Sequence, residues 1–317
     1  MSQHEQILSK TGKLFGDLWW RYDDDLFNES VKLFYKRFEA NGFDLRWFCG
    51  KKCLDAGCGG GRYAIAMAKL GAEKVTGCDI STEGLADARR RAVDLPNVEF
   101  QEASVLELPY ADEAFDFVCC SGVLHHTKDP EKGIQELARV LRPLGKIFLL
   151  IYGAGGLRWP TIMTIRPHAQ AMGYGLLDEA MKLANLPPNK QRTFLDDFFV
   201  PIIQFYSWNE VQSMLVNNGL KSFDRWEKGK LDHEESVSVQ KIELTQIRDL
   251  FKTAIEKETR RFKAVASYAR NALNAVEAAI ERLDAVEAKF AGGQISESDL
   301  NRQIFGEGHH RVLAEKD

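Results

Sequence analysis

Short apolar runs alternate with segments of helical spacing over residues 51–152, and this alternation predicts the architecture of the chain. An apolar run ends at residues 53–56, a helix-like segment follows over 62–70, and a second strand is expected over 74–79. Strands that alternate with helices form a parallel sheet with helices on both faces. Ligands of such sheets bind beyond the carboxyl ends of the strands. We therefore expect an α/β, doubly wound fold with its site at that edge.

An insertion interrupts this pattern at residues 153–206. It is far longer than the ordinary αβ connection of about two to six residues. It is rich in large side chains and divided by prolines. We interpret it as a helical cap that binds the acceptor, and a plain packing layer on the sheet edge is the alternative. The sheet is expected to resume after Ser207, a good N-cap, with a helix over 208–217 and strands over 220–226 and 236–242.

The C-terminal part differs in kind, because residues 231–291 contain neither glycine nor proline. Apolar positions there step by threes and fours, and the heptad spacing is best over 262–290. This predicts a long amphipathic helix or a helix pair within a C-terminal extension, 244–317. Two arrangements remain open: the helix packs back on its own chain, or it forms a homodimer. A capping box over 296–299 predicts one last short helix.

A glycine turn follows the first strand. Gly57, Gly59 and Gly61 let the backbone take positive φ and let a ligand approach the main chain. The turn leads into a helix N-terminus, whose free N–H groups suit a polar or anionic ligand. Asp79 closes the second strand, where a carboxylate can accept hydrogen bonds from both hydroxyls of a ribose. These residues predict a nucleotide-binding turn.

This stretch resembles the class I S-adenosylmethionine-dependent methyltransferases. Their first motif, an acidic residue followed by Gly-x-Gly-x-Gly, is matched by Asp55 and the three glycines, and their ribose carboxylate by Asp79. Residues 97–110 look like the third strand and adenine loop, 114–121 like the fourth strand, and 147–152 like the fifth. The resemblance implies S-adenosylmethionine as cofactor, a mostly parallel, seven-stranded Rossmann-like sheet, and a set of binding residues: Asp55, Gly57, Gly59, Gly61, Asp79, Ile80, Ser104, Val105 and Ser121.

Two positions depart from the family pattern. Ser104 stands where many relatives have an aspartate for the adenine amine, and Leu144 replaces the first glycine of an Arg-Pro-Gly-Gly turn. A nicotinamide-binding Rossmann domain is the competitor, since it also uses three glycines and a downstream carboxylate. Its Gly-x-Gly-x-x-Gly spacing requires glycine at position 62, which is arginine here. The order of the later motifs favours the methyltransferase.

His125 and His126 follow the fourth strand, at the mouth of the predicted crevice. Methyl transfer is an in-line displacement, so the protein aligns donor and acceptor and makes the acceptor nucleophilic. For an oxygen acceptor a base near neutral pKa is useful, and histidine has one without tuning. We predict His126 as base or acceptor contact with His125 behind it, although such histidines often only line the pocket. His168, Asp196 and Asp197 are held in reserve.

The N-terminal segment, 1–50, contains an aromatic cluster over 15–22 and a helix-like stretch over 26–40. These rings either pack a helix onto the sheet or form a flap over the cofactor. The predicted organisation is thus an N-terminal segment, a cofactor-binding core, a cap insertion, the end of the sheet and a helical extension, with the bounds 1–50, 51–152, 153–206, 207–243 and 244–317.

The composition of the chain argues against several classes of partner and ligand. The net charge of −4 and the pI near 6.0 argue against nucleic acid, because binding to a phosphate backbone needs a basic surface. No apolar stretch approaches the roughly eighteen residues of a membrane span, and the first residues do not resemble a leader peptide, so we expect a cytoplasmic protein. The six cysteines lack zinc spacing and are interpreted as reduced structural thiols, without a metal.

The sequence therefore predicts a methyltransferase for a small or mid-sized metabolite, acting on a hydroxyl of a sugar or natural-product precursor. Transfer to nitrogen or carbon is an alternative. A non-catalytic scaffold that binds the cofactor and recruits a partner through its C-terminal helix is another. Protein methylation is disfavoured, because the cap is expected to enclose its ligand rather than admit an extended chain.

Overall fold

The computed structural model describes residues 3–226, 236–257 and 259–317, with side chains from residue 6 onward. Its strands are β1 Lys52–Ala56, β2 Lys74–Asp79, β3 Val98–Glu102, β4 Phe115–Ser121, β5 Leu141–Tyr152, β6 Leu220–Arg225 and β7 His309–Lys316. Its helices are α1 Gln3–Trp20, α2 Asp24–Ala40, α3 Arg62–Lys69, α4 Thr82–Arg91, α5 Pro130–Val140, α6 Arg158–Met172, α7 Tyr174–Leu183, α8 Pro188–Phe199, α9 Trp208–Asn217, α10 Val237–Glu256, α11 Arg260–Ala291 and α12 Glu297–Phe305. No helix in these ranges is both long and apolar enough to cross a membrane.

The strands form one sheet in the order β3-β2-β1-β4-β5-β7-β6. Strands β1 to β5 run parallel, and β7 lies antiparallel between β5 and β6. The prediction of a mostly parallel, seven-stranded sheet is confirmed. The strand order reverses at β1, and in such sheets the crevice for ligands opens at the reversal.

Alternating strand residues build two apolar layers on the two faces of the sheet. Leu54, Val118 and Leu149 pack with α5 and α9, while their neighbours Cys53, Phe117 and Phe148 pack with α2 and α3. Because successive side chains point to opposite faces and both faces are covered, β4 and the second half of β5 read as nearly continuous apolar runs. The prediction of helices on both faces is confirmed.

The strand predicted over 236–242 is wrong. Helix α10 begins at Val237, and the Ser236 hydroxyl caps it by accepting a hydrogen bond from the Val239 N–H. Alternation over so few residues cannot separate a strand from the first turns of an amphipathic helix. The seventh strand is β7 instead, within residues 244–317, for which only helices were expected. Its sequence, HHRVLAEK, carries too many polar side chains to read as a central strand.

The chain divides into two compact units. The first comprises Met1–Gly153, Pro201–Leu231 and His309–Asp317 and contains the whole sheet. The second comprises Ala154–Val200 and Asp232–Gly308 and is helical in its described residues. Residues 154–200 of the predicted insertion and most of the predicted C-terminal extension thus belong to one unit, whereas 153 and 201–206 belong to the other.

Within the second unit, α11 packs against α10 and α6. The helix pair, one of the two forms expected from the spacing, is what the described residues show; 231–235 and 258 lie outside them. Heptad positions such as Phe262, Val276 and Leu283 are buried inside this unit.

Buried ion pairs also join helices of the second unit. The Arg158 guanidinium lies 2.6 Å from the Asp197 carboxylate and 3.3 Å from that of Glu243, which also pairs with Lys190. Arg158 therefore connects α6 with α8 and α10.

Candidate active site

The glycine turn connects β1 to α3 through three left-handed residues. The φ angles are 77° at Gly57, 52° at Gly59 and 82° at Gly61. A Cβ at Gly57 would lie 2.3 Å from the Val123 side chain, and one at Gly59 would lie 2.1 Å from Trp19. Room for a ligand, as predicted from the sequence, therefore explains these glycines only in part. The protein's own side chains approach the turn too closely for any other residue.

Asp55 lies beneath this turn, at the end of β1. It is only 3% exposed, and its carboxylate accepts a hydrogen bond from the Ala64 N–H at 2.9 Å. Burial raises the pKa of Asp55 to about 7, although this hydrogen bond opposes the rise. Its visible role is to fix the start of α3 under the turn.

Asp79 ends β2 beside the turn. Its two carboxylate oxygens accept hydrogen bonds from the Gly59 N–H at 2.8 Å and the Ser81 N–H at 2.9 Å. Burial raises its pKa above the usual value of an aspartate, against the effect of these donors. Each oxygen of a carboxylate has a second lone pair, so two ribose hydroxyls can still donate to this group.

The other predicted cofactor residues lie on loops at the same edge of the sheet. Val105 is buried, Ile80 is partly exposed, and the Ser104 hydroxyl accepts a hydrogen bond from the Leu106 N–H at 3.2 Å. The Ser121 hydroxyl, at the end of β4, is buried and has no hydrogen-bond partner within the described part of the chain. An orphaned hydroxyl and a carboxylate with spare lone pairs at one crevice fit S-adenosylmethionine.

His126 lies on a short 3-10 helix, Leu124–His126, after β4. It is 7% exposed, and its Nδ1 lies 2.8 Å from the carbonyl oxygen of Ile202. A carbonyl only accepts, so Nδ1 carries the proton and donates it. In the neutral ring Nε2 is therefore the basic nitrogen.

His125 has the opposite tautomer. The Tyr152 N–H donates to its Nδ1 at 3.3 Å, so Nε2 carries the proton. Burial, followed by the charges of His126 and His309, lowers the pKa of His125 well below that of an ordinary histidine. His125 is therefore neutral at physiological pH and is a donor, not a base.

Two residues that the sequence did not single out stack against this pair. The Tyr152 ring lies between His125, at 3.6 Å between centroids, and His309, at 4.8 Å. Tyr152 and His309 are opposite each other because β7 begins where β5 ends in the antiparallel register. Only the unusual His309-His310 pair in a polar stretch could have signalled this, and nothing local places it beside His125.

The reserve candidates lie in the second unit. Asp196 and Asp197 are buried on α8, and burial raises the pKa of each to about 6. Asp197 is committed to the ion pair with Arg158. His168 lies on α6, with its ring 6.4 Å from that of Tyr268. None of the three belongs to the unit that contains the glycine turn.

Known methyltransferases resemble part of this chain. Residues 54–149 match the family described as "Methyltransferase domain". The chain is 37% identical over 139 residues to a ubiquinone biosynthesis O-methyltransferase of Paracidovorax citrulli, which covers 41% of this chain and 55% of that protein. It is 42% identical over 115 residues to the 27-O-demethylrifamycin SV methyltransferase of Amycolatopsis mediterranei, which covers 34% and 42%.

The chain thus spans about half the length of the curated relatives it matches. Among solved structures, it aligns with a putative sarcosine dimethylglycine methyltransferase from Galdieria sulphuraria with a TM-score of 0.47 and 16% identity, over 91% of this chain and 84% of that one. The family match, the motif residues and the sheet order agree with one another. Residues 54–149 therefore form a class I methyltransferase domain, the family whose cofactor is S-adenosylmethionine.

Proposed function

We propose that this chain is a methyltransferase that transfers a methyl group from S-adenosylmethionine to a hydroxyl of a small or mid-sized metabolite. The observation that carries the proposal is the orientation of His126. Its Nδ1–H donates to the Ile202 carbonyl, so in the neutral ring the basic lone pair is on Nε2. A general base of this kind contributes about 10² to 10⁴ in rate.

Each residue of the site has a distinct role in the proposed transfer. S-adenosylmethionine supplies an electrophilic methyl group. His126 Nε2 would take the proton of the acceptor hydroxyl, which would leave an oxygen nucleophile for the methyl group of a cofactor held by Asp79 and the glycine turn. The Ile202 carbonyl holds the ring and stabilises the imidazolium that forms. His125 stays neutral and presents an N–H donor beside it.

The names of the relatives support the class of acceptor. One acts in ubiquinone biosynthesis as an O-methyltransferase and another on a demethylrifamycin. We infer a hydroxyl of a natural-product precursor, and a sugar hydroxyl is the wider alternative. The net charge of −4 agrees with an acceptor that is not a nucleic acid.

The test measures S-adenosylhomocysteine formed by the purified chain with a panel of phenols, sugars and amines. We expect turnover with at least one hydroxyl acceptor, and none with Asp79→Ala, whose cofactor binding is abolished in calorimetric titration. Turnover with amines alone would move the proposal to nitrogen. Cofactor binding without turnover on any acceptor would favour the scaffold.

Self-association through α11 is a separate prediction with no support from the helix contacts. Heptad residues such as Leu283 and Val286 are buried in an apolar cluster of the second unit. Sedimentation of the purified chain tests it, and a dimer would have to use another face of the helix.

A further inference from the structure

Helix α1 lies directly on the loops that follow β1 and β2. A Cβ at Gly12 would lie 3.1 Å from the Ile80 carbonyl oxygen, and one at Gly16 would lie 2.8 Å from the Ser81 hydroxyl. The helix therefore approaches the loop next to Asp79 with its bare backbone. Such a close fit at two positions one turn apart fixes where α1 sits on the first unit.

Further along the same face, Trp19 covers the glycine turn. A Cβ at Gly59 would lie 2.1 Å from the indole nitrogen, and one at Gly60 would lie 3.0 Å from the indole ring. Trp19 is 7% exposed, whereas its neighbour Trp20 is 54% exposed. The two tryptophans thus differ in environment although they are adjacent in sequence.

Arg62 lies beside this ring at the first position of α3. Its guanidinium is 5.4 Å from the centroid of Trp19 and 4.7 Å from that of Tyr63. Its charge opposes the rise of the Asp55 pKa, but it forms no direct salt bridge with a carboxylate among the residues that the structure describes. The helix dipole disfavours a cation at a helix N-terminus, so this position suits a ligand that brings a carboxylate.

The same helix also contacts the proposed base. The ring of Phe15 lies 5.4 Å from that of His126. At its end, α1 is held by Arg91, which donates to the Tyr22 carbonyl at 2.8 Å and pairs with the buried Asp87. One helix thus reaches the ribose loop, the glycine turn and His126.

We propose that α1 is a wall of the cofactor site, in which Trp19 covers the glycine turn and, with Arg62, receives the methionyl end of S-adenosylmethionine. The cofactor therefore binds tightly only when α1 is seated. The inference rests on the cofactor assigned to this domain and is independent of the acceptor. It adds a role at the cofactor to the packing role of these rings, since Trp19 and Tyr22 also belong to the apolar cluster on the sheet.

The test is calorimetric titration of the full chain with S-adenosylmethionine and S-adenosylhomocysteine. Trp19→Ala should weaken both by about tenfold or more, since it removes the wall and the cation–π partner of Arg62. Trp20→Ala is the matched control and should bind like the wild type. Trp19→Phe keeps a ring and should fold even if the alanine variant does not. Binding should change the intrinsic fluorescence of the wild type and of Trp20→Phe, but much less that of Trp19→Phe.

Gly16→Ala tests whether the position of α1 controls cofactor binding, separately from the direct contact made by Trp19. Its new Cβ would collide with Ser81, so cofactor affinity should fall several-fold, with faster dissociation. The control is Gly175→Ala on α7, where a Cβ meets nothing within 4 Å. Wild-type affinity in all Trp19 and Gly16 variants would overturn the inference and leave the cofactor assignment intact. A wild type that binds neither ligand would overturn both.

Discussion

The two units of this chain are built on different principles. In the first, β1, β2 and β4 are each followed by a helix of the same unit, so many neighbours in sequence are neighbours in space. In the second, two stretches of chain separated by β6 and α9 combine, and buried ion pairs such as Arg158–Asp197 connect their helices. Local pattern therefore predicts the first unit well, and the second only as separate helices.

The largest expected effect tests whether the chemistry lies in the first unit. His126→Ala should lower turnover by about 10² to 10⁴, because the base is lost. Calorimetry should show unchanged cofactor affinity. His168→Ala in the second unit is the matched control and should keep full turnover. The reverse result would transfer the role of base to the reserve candidate.

The ion pairs of the second unit should dominate its stability. Arg158→Ala leaves the buried carboxylates of Asp197 and Glu243 without their shared partner, so the free energy of unfolding should fall by about 3 to 5 kcal/mol. The exposed pair Lys241–Asp284 is the control, and Lys241→Ala should cost less than about 1 kcal/mol. Urea denaturation measures the loss in the free energy of unfolding for both variants. Equal losses would mean that the buried pairs stabilise the unit no more than the exposed pair does.

Buried carboxylates make the free energy of unfolding of both units depend on pH in the same direction. The pKa of Asp55 is raised to about 7 and that of Asp197 to about 6, above the unfolded value near 4. The folded state therefore binds more protons between these values, so their contribution to the free energy of unfolding falls as pH rises from about 4 to the folded pKa.

Asp55→Asn isolates the contribution of the first unit. The amide oxygen can still accept from the Ala64 N–H, so between about pH 4 and pH 7 the free energy of unfolding of the variant should fall by about 1 to 3 kcal/mol less than that of the wild type. Denaturation curves across this range measure it. An unchanged slope would mean that Asp55 keeps an ordinary pKa.

The smallest effect concerns a single backbone angle. Leu144 has φ 60° and is exposed, so its side chain gains little from burial while its backbone is strained. Leu144→Gly should raise the free energy of unfolding by about 1 kcal/mol. Leu144→Ala should not, because alanine has the same Cβ. Thermal denaturation separates the two.

Sequence reasoning succeeded where the relevant interactions are local. The glycine turn and the end of β2 at Asp79 are readable because neighbours within a few residues dictate their conformation. It failed for α10, since its first residues alternate like a strand, and for β7, whose polar residues hide a central position in the sheet. Tyr152 and His309 meet only through that strand pairing.

The tautomer of His126 could not be predicted from the sequence either. It depends on a hydrogen bond to the Ile202 carbonyl, and because every residue has a carbonyl, no residue type indicates such a contact. A sequence can thus name the candidate base, but the group that prepares it for its task becomes visible only in three dimensions.

The position of β7 has a consequence for how the protein is made. This strand fills the gap between β5 and β6, yet the ribosome synthesises it after both of them and after the whole second unit. Until then, β5 and β6 each expose an unpaired edge, the kind of surface that recruits strands from other molecules. The nascent sheet should therefore depend on chaperones until β7 emerges, and a premature stop codon that removes only this strand should send the protein to aggregation rather than to a shortened enzyme.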